Sequence, residues 1–561
     1  MSRTSTDGMK KLHLNDVLSV FSKVKGTPKY WQVARNDLVA KVKQLGPFHV
    51  FYTFSCGEMR WTEVFLSLLM RRGYKVEIPE EWDGNEAKLK VEGTELWKYV
   101  NEKMSESKHE LFKDYSFLIT RLFDARVKSF IKNILMGGGK DKISFKYYSY
   151  RVEFQARGMP HIHGVAWISP EWLKGRGIDG LNISEMDETK LITLVDELIS
   201  CELPGDDTEE SKGLNDIVSS VQKHHHTKSC LKYNGKCRYG FPKLPTDKTI
   251  LAKPLPSTMD DEERKKILAE AKVTLNKAMK LLESNELDEE MSVDDFVKKL
   301  DIPGLTLEKY RNHIGITERG KMLILKRSLK ERFVNNYNRE MILAWNANMD
   351  IQLAIDPYAV ITYIVNYMNK DESGLTQFMR DALTKVPTDD AKEKLRALKT
   401  AYLTHRQIGM SEAVYRVFKG MKLRDSNITC IFVTSGFPDN RSNLYRKVSD
   451  EQDDEILTHS NDDFEEEEDD ANETNTFSSL DPPVTIQGRA GKFQRATTVI
   501  ERYAARPKYL KHICLAQFAI SYTFKAKAPE TILFDKDGVS KLKSSNQTVF
   551  NHKTLLPKNI I

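Results

Sequence analysis

Hydrophobic and polar positions along the chain repeat with two periods, and the switches between them outline the elements. A helical spacing runs over 27–45 and is broken by Gly46-Pro47. Strict alternation follows over 49–54, with Val50, Tyr52 and Phe54 on one face and His49, Phe51 and Thr53 on the other. A helix is predicted over 61–71. Another is predicted over 110–136, where Leu111, Tyr115, Leu118, Leu122, Phe123, Val127, Phe130, Ile131 and Ile134 recur and three glycines close the run. Residues 143–153 read as a strand that returns through a turn at Arg157-Gly-Met-Pro160 into a second strand, His161-Ile-His163-Gly-Val-Ala-Trp-Ile168.

Further on, the pattern predicts a charged helix over 258–287, acids first and bases later. A short strand at 321–326, a helix at 339–345, a strand at 348–355 and a helix opened by Asp356-Pro357 follow. Helical spacing over 374–422, a strand at 428–433 and a helical unit at 490–525 complete the pattern. The expected class is α/β of the α+β kind: an antiparallel sheet flanked by helices, with additional helical regions.

Composition narrows this. The chain has 561 residues, 40% apolar and 30% charged, which suits a soluble chain of several domains. No long apolar run and no secretory leader are seen, so an intracellular protein without a membrane partner is expected. Net charge is only +6, but 450–473 holds 14 acidic residues and no Lys or Arg. The rest of the chain is therefore strongly basic, as a polyanion-binding surface requires. The acidic run has almost no periodicity and reads as a disordered linker over 450–480.

Chemistry-bearing residues cluster in three places. On a strand, His161 and His163 point to one face, and two neutral imidazoles side by side make half of a divalent-metal site. Glu153 and Gln155 share a parity on the run just before. Between 224 and 237, His224, His225, His226, Cys230 and Cys237 supply enough imidazoles and thiols for a tetrahedral Zn²⁺. Six scattered cysteines do not form a disulfide framework. At helical spacing, Tyr363 and Tyr367 present their hydroxyls in one direction, with Lys370 one turn on. Lys140 after three glycines lacks the spacing of a phosphate loop, and no Gly-x-x-x-x-Gly-Lys-Ser/Thr occurs. Val165 stands where a histidine-triad hydrolase would need a third histidine.

The run Glu153-Phe-Gln-Ala-Arg-Gly-Met-Pro-His161-Ile-His163 resembles the HUH endonuclease signature, and more narrowly its form in Helitron transposases. Phe48-His-Val-Phe-Tyr-Thr-Phe-Ser-Cys56 is similar to that family's first motif, and Tyr363-Ile-Val-Asn-Tyr367-Met-Asn-Lys370 to its two-tyrosine motif, with Asn366 where the family usually has Lys. The segment from His224 to Pro242 is similar to a His/Cys stretch of Helitron proteins. The match implies His224, His226, Cys230 and Cys237 as zinc ligands, with His225 spare.

The resemblance implies metal-dependent nicking of single-stranded DNA and strand transfer through a 5′-phosphotyrosine, with Tyr363, Tyr367 and Lys370 as catalytic residues. Mg²⁺ or Mn²⁺ is expected on His161, His163 and a third ligand, Gln155 by preference and Glu153 in reserve. Arg157, Lys223, Lys228, Lys232, Lys236 and Arg238 are expected to contact DNA. Transposon ends, a helicase on a separate chain or domain, and a nuclear location are implied as well. Competing readings are another HUH initiator or relaxase, and a non-catalytic zinc-containing DNA-binding protein. The expected organisation is a basic region at 1–46, a core in two parts at 47–220 and 301–372, a zinc segment at 221–250, a charged helical insertion at 251–300, an extension at 373–449, the linker at 450–480 and a helical region at 481–561.

Overall fold

The computed structural model describes residues 24–82, 84–104, 112–138, 142–154, 158–178, 183–228, 230–231, 235–284, 287–317, 321–356, 381–386, 391–404, 408–430, 486–489, 492–495, 499–504, 506, 508–525 and 549–552. Gln155, Arg157, Lys232, Tyr363, Tyr367, Lys370 and the acidic run lie outside the described residues. The chain divides into two units. One comprises Trp31–Arg380 with Thr400–Ile428, the other Met1–Tyr30 with Asp381–Lys399 and Thr429–Ile561.

The first unit is mixed α/β. Its largest sheet has five strands: β1 (Val50–Ser55), β2 (Phe145–Phe154), β3 (Pro160–Ile168), β4 (Met349–Leu353) and β5 (Arg424–Ser426). They lie in the order β4-β1-β3-β2-β5, every neighbour antiparallel. The alternation in β1 is realised as expected, with Val50, Tyr52 and Phe54 buried. That face carries the core. Phe54 packs on Phe130 and Trp345 at 4.9 and 5.1 Å between ring centroids, and Trp61 meets Trp345 edge-on at 5.3 Å. Both indoles find acceptors, Trp61 donating to the carbonyl of Trp345 and Trp345 to that of Ser55, each at 2.9 Å, so neither buried indole N–H is left over. Helices α1 (Pro28–Leu45), α2 (Thr62–Arg71), α3 (Ser116–Phe130), α4 (Arg339–Trp345) and α5 (Met410–Val417) fall where the periodicity puts them.

The opposite face of the sheet is polar, and α1 closes only part of it. Arg151 is buried with its guanidinium 4.0 Å from the centre of the Trp31 ring. Lys41 donates to Ser426 at 2.9 Å, and Arg424 pairs with Asp37 at 2.8 Å. Beyond Gly164 both faces of β3 are covered, and the Trp167 indole donates to the Gly46 carbonyl at 3.0 Å. Glycine at 164 is required by contact: a Cβ there would lie 2.2 Å from the ring of Tyr52, its partner on β1.

Three details differ from the expectations of the sequence. Pro160 begins β3, paired with Phe154, rather than sitting in the turn. A strand forms at Arg424–Ser426, just ahead of the one expected at 428–433. There the Asn427 side chain fixes the pairing, accepting from the Tyr148 amide and donating to the Lys146 carbonyl, both at 2.9 Å. Residues 431–433 lie outside the described ones.

Helices Asp261–Leu282, Val293–Lys299 and Leu307–Gly315 build a core of their own from Ala278, Leu282, Phe296, Tyr310 and Leu329. Asp260, Ser292 and Thr306 cap them by accepting from backbone amides at their starts.

The second unit contains helices Val499–Ala504 and Leu515–Ser521, whose neighbourhood buries Leu510, Ile513 and Phe518. The third difference falls here: the purely helical expectation is corrected by two antiparallel strand pairs, Ile486–Arg489 with Lys492–Arg495 and Tyr522–Lys525 with Val549–His552. Tyr522 and Phe524 alternate with polar residues, a period-two signal too short to stand out beside the helix before it.

Candidate functional site

The open part of the polar face holds the first cluster. Antiparallel register sets Glu153 directly across from His161, and Arg151 directly across from His163. The two imidazole Nε2 atoms are 2.7 Å apart, and the Glu153 Oε2 lies 3.2 Å from that of His163 and 3.7 Å from that of His161. One ligand atom from each of the three falls within 4.8 Å of the others.

Two imidazole nitrogens this close repel through their lone pairs unless a proton or a cation lies between them. Neighbouring ligands of an octahedral cation with bonds of about 2.1 Å stand about 3 Å apart, so the spacing fits a small divalent ion. Burial works to raise the Glu153 carboxyl. The hydrogen bond and charge of His163 more than reverse it, helped by Arg151 and His161, and hold the group at about 2. Of the two candidate third ligands, Glu153 stands at the imidazoles, while Gln155 lies outside the described residues.

Asp350 shares this face and escaped the reading of the sequence. It pairs with Thr53, which pairs in turn with His163 on the far side. Burial pushes its carboxyl up to about 6, against the Gln352 amide, which donates to Oδ2 at 2.9 Å, and against Lys243 and His163. The one acid on the polar side of an alternating strand, Met349-Asp-Ile-Gln-Leu353, was the available signal.

The second cluster gathers His224, His226, Cys230 and Cys237, one ligand atom from each within 4.8 Å of the rest. Cys230 Sγ is 3.6 Å from His226 Nδ1, and Cys237 Sγ is 3.4 Å from His224 Nε2. Tetrahedral zinc with its usual sulfur and nitrogen bond lengths places such ligands about 3.5 Å apart. His225 is exposed outside this set. The His224 ring stacks on Phe241 with centroids 4.7 Å apart, and burial, then His226 and His225, push its imidazole toward the neutral form a ligand needs. Burial opposes ionisation of the Cys230 thiol, but hydrogen bonds, first from the Thr227 amide at 3.2 Å, bring it below its ordinary range.

Around this cluster Lys228, Lys236 and Arg238 are exposed, and Arg238 lies over the exposed Tyr239 ring at 4.6 Å. Lys223 is half-buried, its backbone bridged to Val334. The segment is tied to the sheet. Lys243 donates its amide to the Arg332 carbonyl at 2.7 Å and its ammonium to the Tyr239 carbonyl at 3.0 Å.

What these observations define is a mixed α/β protein with two separate sets of metal-ligand side chains. Residues 1–166 match the family described as Helitron helicase-like domain at N-terminus. The match takes in β1, β2 and most of β3, with Glu153, His161 and His163, and stops before the Cys/His segment. It associates the chain with Helitron function and is compatible with an enzyme of DNA transposition. No curated protein matches the chain. Among the described residues, no helix is long and apolar enough to cross a membrane.

Proposed function

We propose that the chain nicks single-stranded DNA and transfers the strand through a phosphotyrosine, as an HUH endonuclease of Helitron type. The observation that carries this reading is the convergence of Glu153, His161 and His163 on one point of the polar sheet face, inside the stretch that matches the family.

A Mg²⁺ or Mn²⁺ ion held by these side chains, with Gln155 the alternative to Glu153, would supply Lewis-acid polarisation of a non-bridging phosphate oxygen. His161 and His163 bind as neutral imidazoles, and Glu153 brings the negative charge. The phenol of Tyr363 or Tyr367 attacks phosphorus. The new O–P bond forms as the bond to the 3′ oxygen breaks. The phenol proton passes to solvent or a nearby base, and the departing oxygen takes up a proton as a free 3′-OH. A free phenol has a pKa near 10, so Lys370 assists by offsetting phosphate charge. The second tyrosine allows another strand to be cut while the first remains covalently held.

His224, His226, Cys230 and Cys237 hold a structural Zn²⁺. The basic residues beside them, Lys223, Lys228, Lys232, Lys236 and Arg238, together with Arg157, track the DNA backbone. A helicase, supplied by another domain or chain, and a nuclear location belong to the same reading.

The test is covalent capture. The chain is incubated with a labelled single-stranded oligonucleotide and Mg²⁺ or Mn²⁺, and Tyr363→Phe, Tyr367→Phe and the double variant are compared. Loss of the protein–DNA adduct only in the double variant is expected. An adduct that survives it overturns the tyrosine assignment. Binding by the parent chain without any metal-dependent nicking would favour a non-catalytic DNA-binding protein.

A further inference from the structure

We propose that Asp350 is a further positioning residue of the imidazole centre. Its carboxylate orients His163 for the cation, and Lys243, delivered by the Cys/His segment, holds that carboxylate toward the imidazoles. This rests on the cation-binding reading above and deepens it.

Register makes the first part of the case. Strand order sets Glu153 on one side of His163 and, across Thr53, Asp350 on the other, all on the same face. The backbones of β3 and β4 are two strand spacings apart, about 10 Å. An imidazole and a carboxylate reaching over the short Thr53 side chain close much of that span and leave room for one bridging water.

The state of the carboxylate makes the second. Gln352 binds only Oδ2. Oδ1 is shut off from solvent and has no hydrogen-bond partner among the described residues. A buried carboxylate oxygen left this way costs free energy unless something is meant to meet it. Imidazoles that ligate a metal through one nitrogen pass the proton of the other to a neighbouring carboxylate, carbonyl or water, which fixes the tautomer. Asp350 offers such an acceptor, on the side of His163 away from Glu153. It is not itself among the three residues whose ligand atoms converge within 4.8 Å, so its role is to orient rather than to ligate.

Lys243 supplies the third part. It follows Cys237 by six residues and is held by the Arg332 and Tyr239 carbonyls. Its ammonium, hydrogen-bonded to the Tyr239 carbonyl, carries a positive charge that both Asp350 and Cys237 feel through space. Burial and Arg327 weigh against its charge, while Asp350 and Cys237 favour it.

Mn²⁺ binding to the full chain, followed by electron paramagnetic resonance at neutral pH with zinc content measured in parallel, tests this. The parent chain should bind Mn²⁺, and His161→Ala with His163→Ala should abolish it. Asp350→Asn should weaken it by about 10- to 100-fold at unchanged zinc content and without loss of thermal stability. Lys243→Gln should weaken it by a smaller factor, with Lys243→Arg near the parent. Mn²⁺ affinity equal to the parent in both Asp350→Asn and Lys243→Gln, with binding still histidine-dependent, overturns the proposal and leaves the cation site standing. Absence of any histidine-dependent Mn²⁺ site overturns both. Should Asp350→Asn lose zinc or fail to fold, Lys243→Gln decides: weakened Mn²⁺ binding at full zinc content supports the proposal, and parent-like binding rejects it.

Discussion

Gln222 holds Met349 by both ends of its amide: Oε1 accepts from the Met349 amide at 3.0 Å, and Nε2 donates to the Met349 carbonyl at 2.9 Å. The Oε1 also accepts from the Asn348 side chain at 3.0 Å, and the Asn335 side chain donates to the same Met349 carbonyl. Gln222 is two residues before His224, and Met349 is one before Asp350. The start of the Cys/His segment is thereby fastened to an edge strand of the sheet, one residue from a carboxylate on the polar face.

Gln222→Ala is therefore expected to destabilise the first unit. Each lost hydrogen bond is worth about 1 kcal/mol, and the Met349 amide of the edge strand is left unmet, so a loss of about 2 to 4 kcal/mol should appear in urea unfolding. A change below about 0.5 kcal/mol would mean that this amide does not hold the strand.

Purified chain should carry one zinc. Cys230→Ser, Cys237→Ser and His224→Ala should each lose it by elemental analysis, whereas His225→Ala, exposed and outside the four, should keep it. Chelation should expose the thiols of Cys230 and Cys237 to alkylation. Zinc retained after Cys237→Ser would reject this ligand set.

Asp350 sets a pH dependence whose sign is fixed by its raised carboxyl. With a value of about 6 when folded against an ordinary 3.8, the folded chain binds the extra proton between those values. The stabilisation is complete below pH 3.8 and is lost as pH rises through about 6. Relative to Asp350→Asn, the parent chain without added divalent cation should lose up to about 3 kcal/mol between pH 4 and pH 7, since each pH unit separating the folded and unfolded values is worth about 1.4 kcal/mol. Glu153 works in the opposite sense, its contribution fading as pH falls from about 4.5 toward 2, so the comparison with the Asp350 variant isolates the first. A parallel pH course for the two proteins would show that Asp350 titrates normally.

Gly164→Ala should cost about 1 to 3 kcal/mol, because the added methyl meets the Tyr52 ring inside a packed layer. Tyr52→Ala placed on top should recover part of that loss, a coupling that a double-mutant cycle reads directly. Simple additivity would place the clash elsewhere.

Much of this architecture was legible in the chain itself. Val50, Tyr52 and Phe54 alternate with Phe51 and Thr53, and the parity that buries them puts Thr53 on the other face, while parity in the second strand puts His161 and His163 on a common face. Cys230 and Cys237 stand close in sequence to His224, His225 and His226, which marks a ligand cluster, while the family resemblance rather than the spacing favours His224 and His226. Local signals of this sort depend on spacing within one strand or one loop, and periodicity reports spacing well.

Register across strands was not legible, and the site turns on it. That Glu153 faces His161 and that Asp350 lies on the same face beyond Thr53 depend on pairings between segments far apart in sequence. Side-chain hydrogen bonds made only after folding, such as those of Asn427 and Gln222, select these pairings. No residue by itself encodes them, because each is the choice among many registers that leaves the fewest buried polar groups unmet.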